Sequence, residues 1–298
     1  MSEEKMTPEL SQRLQGQGLD PLAVETLVGV ALAEDGETDV TSEPIFDPAQ
    51  VSTADFAARS EGVVAGLLVA EVVFDVLMGG EARLERHVQD GDRVAKGDVL
   101  LTVTAPTVQL LRAERIALNF MTHLSGIASQ TALWVKAIEG TGARVRDSRK
   151  TLPGLRQLQK WAVRCGGGVN HRMSLQDAAL IKDNHVAAAG GVTAAYKAIR
   201  TRYPELHIQV EVDTLEQLEE ALTAGATDIL LDNMSDMMMA EAVRLTAGRA
   251  TLEASGGLSL DRARDAAATG VDYLAVGGLT HSATALDIGL DFRTAAGT

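Results

Sequence analysis

"HIQVEVD" (His207–Asp213), "TDILLDN" (Thr227–Asn233), "ATLEASGG" (Ala250–Gly257) and "VDYLAVGG" (Val271–Gly278) are four apolar runs of one kind. Each is short, rich in aliphatic residues, and ends in acidic, small or glycine residues, as buried strands do. Between them lie "TLEQLEEALTAG", "MSDMMMAEAVRLTAG" and "LSLDRARDAAATG", which read as helices. The steps from Glu211 to Asp232 to Glu253 to Ala275 are 21, 21 and 22 residues. A βα unit repeating at that interval with short loops implies parallel strands, in a barrel or a doubly wound sheet. In an α/β barrel the C-terminal strand ends share one mouth. Glu211, Asp232, Ser255 and Gly277, far apart in sequence, are therefore expected to converge.

Upstream the pattern differs. Residues 8–34 read as helical, with Leu10, Leu14, Leu27 and Val30 on apolar faces. "EDGETDVTSEPI" reads as a turn-rich loop, residues 51–60 as a strand, and 63–78 as a helix entered through Gly62. "EARLERHVQDGDRVAKGDVLLTVTAP" is β-rich, punctuated by Asp-Gly and Lys-Gly turns. Those turns resemble biotinyl and lipoyl carrier modules, but no "MKM"-type tip is present. From Val108 a helical run extends to about Glu139, with an interruption expected at Ser125-Gly126.

Bulk composition narrows the function. The chain has 298 residues, 46% hydrophobic, with 27 Lys and Arg against 41 Asp and Glu, a formal charge of -14. That size suits one large α/β domain or two domains. So acidic an average surface repels phosphate polymers and anionic membranes. The most apolar run, "GVVAGLLVAEVVFDVLMGG", carries Glu71 and Asp75, which argues against a transmembrane span. The single cysteine, Cys165, and the polar start "MSEEKMTPEL" fit a cytoplasmic protein.

Against that background stands a local excess of cations. Between Arg144 and Arg172 lie eight Arg and Lys residues and one acid, Asp147. Within it, "SRK" sets Arg149 beside Lys150, on opposite faces if the segment is a strand. Three glycines precede Asn170, His171 and Arg172, and "LIKDNH" adds Lys182 and His185. Arg156, Lys160 and Arg164 read as an ordinary solvated helix face. Arg149, Arg172 and Lys182 sit at strand ends or beside glycines, where arginines suit carboxylate recognition. Trp161 is the sole aromatic of the island, so no base-stacking platform exists for nucleic acid. Cys165 reads as a packing residue, and the histidine spacing fits no metal site. The late loops "SGG" (Ser255, Gly256, Gly257) and "VGG" (Val276, Gly277, Gly278) let backbone N–H groups approach a phosphate. Glu211 and Asp232 could grip ribose hydroxyls, hold Mg²⁺ or stabilise positive charge.

These motifs carry a specific resemblance. "DSRKTLPGLR", "AVRCGGGVNHRMSLQDAALIKDNH", "VEVD", "LLDNM", "LEASGG" and "AVGGLTHS" occur in the order seen in the quinolinate phosphoribosyltransferase family. "EDGETDVTSEPI" and "ERIALNFMTHLSGIASQT" look like its N-terminal landmarks. The chain departs from the family pattern at Leu152 and Ser174, neither of which removes a charge. The resemblance implies an α/β sandwich over residues 1–115, with the tail 281–298 packing back on it, then an incomplete TIM-like (βα) barrel over 116–280. It implies that quinolinate and phosphoribosyl pyrophosphate give nicotinate mononucleotide, pyrophosphate and CO₂, with Mg²⁺ held mainly by substrate near Glu211 and Asp232. It implies a homodimer or larger assembly, without nucleic-acid or membrane partners. Arg149, His171 and Arg172 would face the quinolinate carboxylates, and Arg115 would enter from the partner subunit. Ser148 would line the substrate pocket, with Lys150 and Lys182 near pyrophosphate or carboxylate. Lys150, Glu211 and Asp232 would be catalytic. A Schiff-base aldolase or lyase using Lys150 or Lys182 is the alternative on the same barrel. The crowd of arginines suits polyanions better than a carbonyl substrate.

Overall fold

Leu10 and Leu14 bury one face of helix α1 (Pro8–Gly16). The helical stretch expected over 8–34 is broken at Gly18, whose φ of +70° lets the chain turn before α2 (Pro21–Glu34). The computed structural model describes residues 6–293. Next come α3 (Ser42–Ile45), β1 (Val51–Ala58), β2 (Gly62–Val63) and α4 (Leu67–Met78). Helix α4 thus starts later than expected, because Gly62 and Val63 pair antiparallel with β4 (Arg93–Val94), which comes after β3 (Arg83–Arg86). Asp90 caps α4 from a distance, its carboxylate accepting the N–H groups of Leu67 at 2.9 Å and Leu68 at 3.2 Å.

Strand β5 (Val99–Pro106) leads into α5 (Thr107–Ala137), which runs unbroken through Ser125-Gly126. The small residues there serve close packing. Ser125 Oγ accepts the Ala65 N–H and donates to the Ala65 carbonyl, each at 2.9 Å. A Cβ on Gly126 would lie 2.2 Å from the Thr284 carbonyl oxygen.

Beyond α5 come β6 (Arg144–Arg146), α6 (Arg156–Cys165), β7 (Ala179–Ile181), α7 (Asp183–Ala189) and α8 (Val192–Arg202). The repeat read from spacing is next: β8 (Ile208–Val212), α9 (Leu215–Ala224), β9 (Asp228–Asp232), α10 (Asp236–Thr246), β10 (Thr251–Ser255), α11 (Ala263–Ala268) and β11 (Tyr273–Ala275). Short helix α12 (Gly278–His281) and strand β12 (Ile288–Phe292) complete the chain.

The chain divides into two units. Residues to Gln130, with Pro153–Gly166 and the segment from Ser282, form one; Thr131–Leu152 and Gly167–His281 form the other. The boundary expected at 115/116 falls inside α5. In the first unit an antiparallel sheet runs β12–β1–β5–β3 among the described residues. Its Phe56 meets Phe74 of α4 edge to face at 6.0 Å. Residues 294–298 of the expected C-terminal tail lie outside the described residues. Helix α6 belongs to this unit, which corrects the reading of its cations. Lys160 is wholly buried, beside buried Gln159 and Trp161, and not on a solvated face. Gln159 meets His123 at 2.8 Å, and exposed Arg164 donates to the Gln17 carbonyl.

The second unit holds a parallel sheet in the order β6–β11–β10–β9–β8–β7 among the described residues. Val169 pairs with Arg146 on the far side of β6, and no described strand joins it to β7. The result is a partial TIM-like barrel. Strand alternation separates two faces. Val210, Ile229, Leu231, Leu252 and Ala254 supply the apolar one. Gln209, Glu211, Asp228, Asp232, Glu253 and Ser255 share the other.

Candidate active site

Glu211, Asp232 and Ser255 end successive strands, and Ser255 pairs directly with Asp232. The helices after β8 and β9 are capped by other residues: Thr214 accepts the Gln217 N–H at 3.2 Å, and Ser235 accepts the Met238 N–H at 3.3 Å. Asp232 is therefore not spent as a cap, and its carboxylate takes an N–H from the Asn233 side chain at 2.7 Å. Lys182, directly after β7, brings its ammonium 3.5 Å from Glu211. Burial pushes the Glu211 carboxyl above the ordinary glutamate range; Lys182 opposes that rise and Asp232 adds to it.

The cations gather at the end of β6. That strand stops at Arg146, so Arg149 and Lys150 lie in the loop after it and not on opposite faces of a strand. Asp147, the one acid of the island, is wholly buried. Its carboxylate accepts the His171 N–H at 2.8 Å and the Asn170 side-chain N–H at 2.6 Å. A single buried carboxylate thus ties two loops of the island together. Ser148 Oγ accepts the Lys150 N–H at 3.1 Å, and Thr280 Oγ donates to the Lys150 carbonyl at 2.7 Å. The Lys150 side chain then crosses Gly277, where a Cβ would come 2.9 Å from its Cδ. Lys150 and the "VGG" loop form one wall.

Arg149 and Arg172 lie near enough to feel each other's charge. Burial lowers the Arg172 pKa first, the Arg149 charge lowers it further, and Asp177 opposes the shift. Arg149 Nε is buried without a hydrogen-bond partner among the described residues. Arg172 donates to the Ala178 carbonyl at 2.6 Å. Two guanidinium groups set together in this way suit an anion that would relieve their repulsion.

His171, expected to face a quinolinate carboxylate, has both ring nitrogens engaged by neighbouring residues. Its Nδ1 accepts the Arg172 N–H at 2.7 Å, and its Nε2 meets Gln209 Oε1 at 2.8 Å. Neither ring nitrogen remains for a carboxylate in this arrangement. Below it runs a polar layer absent from the sequence reading. Gln209 donates to Asp228 at 3.0 Å and to Glu253 at 3.1 Å. Arg146 donates to Glu253 at 2.5 Å and stacks 3.6 Å over Tyr273. Period-two spacing could have found these residues, since Gln209 precedes Glu211 by two positions and Arg146 precedes Ser148 by two.

The "SGG" loop is shaped at Gly256, with φ +81°, where a Cβ would come 2.2 Å from Asn233 Oδ1. Asn233 itself holds φ +54°. The element after each glycine loop is short: a 3₁₀ turn, Leu260–Arg262, after "SGG" and the four-residue α12 after "VGG". Backbone N–H groups, rather than long helix dipoles, are what these loops offer. Burial pushes the Cys165 thiol up to about 12, so the cysteine is inert as a nucleophile. Arg115 lies on α5 in the other unit. Among the described residues, no three His, Cys, Asp or Glu side chains are placed to hold a metal. Two carboxylates at the mouth suit Mg²⁺ shared with substrate phosphates better than an all-protein cage. No helix among the described residues is long and apolar enough to cross a membrane.

Cations after β6 and β7, carboxylates at the ends of β8 and β9, with Lys182 beside Glu211, and glycine loops on the late strands suit an α/β-barrel enzyme of anionic, phosphate-bearing substrates. Family models for the N-terminal and C-terminal domains of quinolinate phosphoribosyl transferase match residues 39–125 and 127–291. The nicotinate-nucleotide pyrophosphorylase (carboxylating) of Mycobacterium leprae is 52% identical, covering 85% of this chain and 90% of its own. A probable nicotinate-nucleotide pyrophosphorylase (carboxylating) of Bacillus subtilis is 40% identical over 92% of this chain and 94% of its own. The solved nicotinate-nucleotide pyrophosphorylase of Francisella tularensis superposes with a TM-score of 0.88 at 35% identity, covering 91% of this chain and 96% of that one. The chain belongs to the quinolinate phosphoribosyltransferase family.

Proposed function

We infer that this chain transfers phosphoribosyl from phosphoribosyl pyrophosphate to quinolinate with decarboxylation, in de novo NAD biosynthesis. The products are nicotinate mononucleotide, pyrophosphate and CO₂. Family membership carries the reaction and its substrates, and the neighbouring cations Arg149 and Arg172 suit a dianionic acceptor. Quinolinate is a dianion, and these guanidinium groups receive its carboxylates, with Lys182 alongside. Lys150 and Ser148 meet the pyrophosphate end. The 5′-phosphate lies against Ser255, Gly256 and Gly257 and against Val276, Gly277 and Gly278.

Glu211 and Asp232 hold the ribose hydroxyls. As the sugar–pyrophosphate bond breaks, their charge stabilises the oxocarbenium-like carbon. The quinolinate ring nitrogen bonds to that carbon and becomes a pyridinium. The adjacent carboxylate leaves as CO₂, its electron pair passes to the ring carbon, and that carbon takes a proton. Glu211 and Asp232 are the residues that would lie near a Mg²⁺ ion held mainly by substrate, and such an ion would supply charge neutralisation at the leaving group. No protein nucleophile is required, so positioning supplies much of the acceleration.

The working form is a homodimer or an assembly of dimers, in the cytoplasm, with Arg115 of one copy completing its partner's site. The test is direct: incubate the pure protein with Mg²⁺, quinolinate and phosphoribosyl pyrophosphate, and assay nicotinate mononucleotide. Turnover with nicotinate but none with quinolinate would overturn the assignment.

A further inference from the structure

We propose that Gln209 is a positioning residue for quinolinate: by pinning the His171 ring, it fixes the Arg172 backbone and so aims the Arg172 guanidinium. The inference rests on the reading that Arg172 receives a quinolinate carboxylate. His171 Nδ1 accepts the Arg172 N–H, so that nitrogen carries no proton and the ring's proton is on Nε2. Nε2–H points at Gln209 Oε1. The Gln209 amide cannot turn over, because its NH₂ is held by Asp228 and Glu253. Asp228 is steadied in turn by His207 at 2.7 Å, and Glu253 by Arg146. From above, Asp147 holds the His171 backbone N–H. The ring is thus held at both nitrogens and the residue at its backbone N–H, which together fix where Arg172 begins.

The acids around the ring strengthen this assignment. Glu253 is wholly buried, and its Oε1, without a hydrogen-bond partner among the described residues, lies 3.7 Å from His171 Nε2. A ring turned by half a revolution about Cβ–Cγ would put Cε1–H where Nε2–H now meets Gln209 Oε1 and would take Nδ1 away from the Arg172 N–H, losing both hydrogen bonds. Gln209 and the Arg172 N–H together therefore select one ring orientation. The charged groups facing His171 are Glu253, Asp147 and Arg172, with Arg149 beside Arg172, and Asp228, His207 and Arg146 behind Gln209 and Glu253. A cavity of about 330 Å³ borders His171, Arg172 and Gln209. Truncating Gln209 to Ala would let water from it replace the lost acceptor, so an apolar side chain of similar length is the cleaner probe.

The experiment is a double-mutant cycle on the full-length enzyme with Gln209→Leu and His171→Asn, in which the asparagine keeps an acceptor near the Nδ1 position but cannot reach residue 209. Each single change is expected to raise KM for quinolinate about 10- to 100-fold, with KM for phosphoribosyl pyrophosphate nearly unchanged. The double variant is expected to be no worse than His171→Asn alone, because both changes cut one link. The pH profile of kcat/KM for quinolinate should keep its shape in His171→Asn. Additive effects, an unchanged quinolinate KM in Gln209→Leu, or loss of a basic limb in His171→Asn would overturn the proposal; the last would mean that a charged His171 meets the substrate itself. Arg172→Lys is measured in parallel. If its quinolinate KM is unchanged, the reading of Arg172 fails, and the inference falls with it for that separate reason.

Discussion

Glu211 is a carboxylate held where ionisation is costly, and Lys182 is the neighbour that keeps it usable. Burial raises its pKa, Asp232 raises it further, and Lys182 lowers it. A raised pKa means that the protonated form persists to higher pH than for a free glutamate. Stabilising a cationic sugar carbon needs the ionised form, so kcat should climb with pH along an acidic limb lying above the usual carboxylate range. In Lys182→Gln that limb should move to still higher pH, as a pH–rate profile would record; a limb that stays put would mean that Glu211 does not titrate in turnover. Glu211→Gln should lower kcat by about 10²-fold at every pH. Gly256 makes a steric claim at the same scale. Gly256→Ala places a methyl against Asn233 at positive φ, and should cost about 1–3 kcal/mol in urea unfolding while raising KM for phosphoribosyl pyrophosphate. An unchanged KM there would detach the "SGG" loop from the 5′-phosphate.

Elements were legible in the sequence where one periodicity decided them. Strands β8 to β11 stood out because the βα repeat is short and each strand is apolar on one face, and it was this that brought Glu211, Asp232, Ser255 and Gly277 to one mouth. Elements decided by distant partners were hidden. Ser125-Gly126 has the composition of a helix break, yet α5 continues because the Ala65 and Thr284 backbones pass against it. Gly62 looked like a helix entrance, but the cap of α4 is Asp90, far along the chain. Arg149 and Lys150 stand out in the sequence by their charge, whereas what Gln209 and Asp147 hold depends on partners far away in the chain. Lys160 shows the same limit, for its burial depends on what surrounds α6. Lys160 is wholly buried and engaged with neighbours, so Lys160→Ala should destabilise the fold by about 2–4 kcal/mol, through both the lost methylenes and the groups it leaves unmatched. Urea denaturation checks this; a loss below about 0.5 kcal/mol would return the residue to the solvated face first expected of it.

At the scale of the whole molecule, a chain of net charge -14 sets eight of its 27 Lys and Arg between Arg144 and Arg172, a local cationic excess on an otherwise acidic protein. The assembly adds the remaining question. If Arg115 serves the partner's site, function is shared between copies, and that has a consequence no single-copy account reproduces. Take two full-length variants, Arg115→Ala and Glu211→Gln, each expected to be nearly inactive alone. Mixed dimers contain one site with its own intact Glu211 and an intact Arg115 from the other copy. The second site of the same dimer lacks both. With random pairing, half the dimers are mixed and one site of each works, so unfolding and refolding an equal mixture should restore about a quarter of wild-type kcat per subunit. Were Arg115 to act within its own copy, every site in the mixture would lack one residue or the other, and mixing would restore nothing. The measurement is steady-state turnover of quinolinate before and after subunit exchange, with dimer mass followed by light scattering so that lost assembly is not mistaken for lost chemistry.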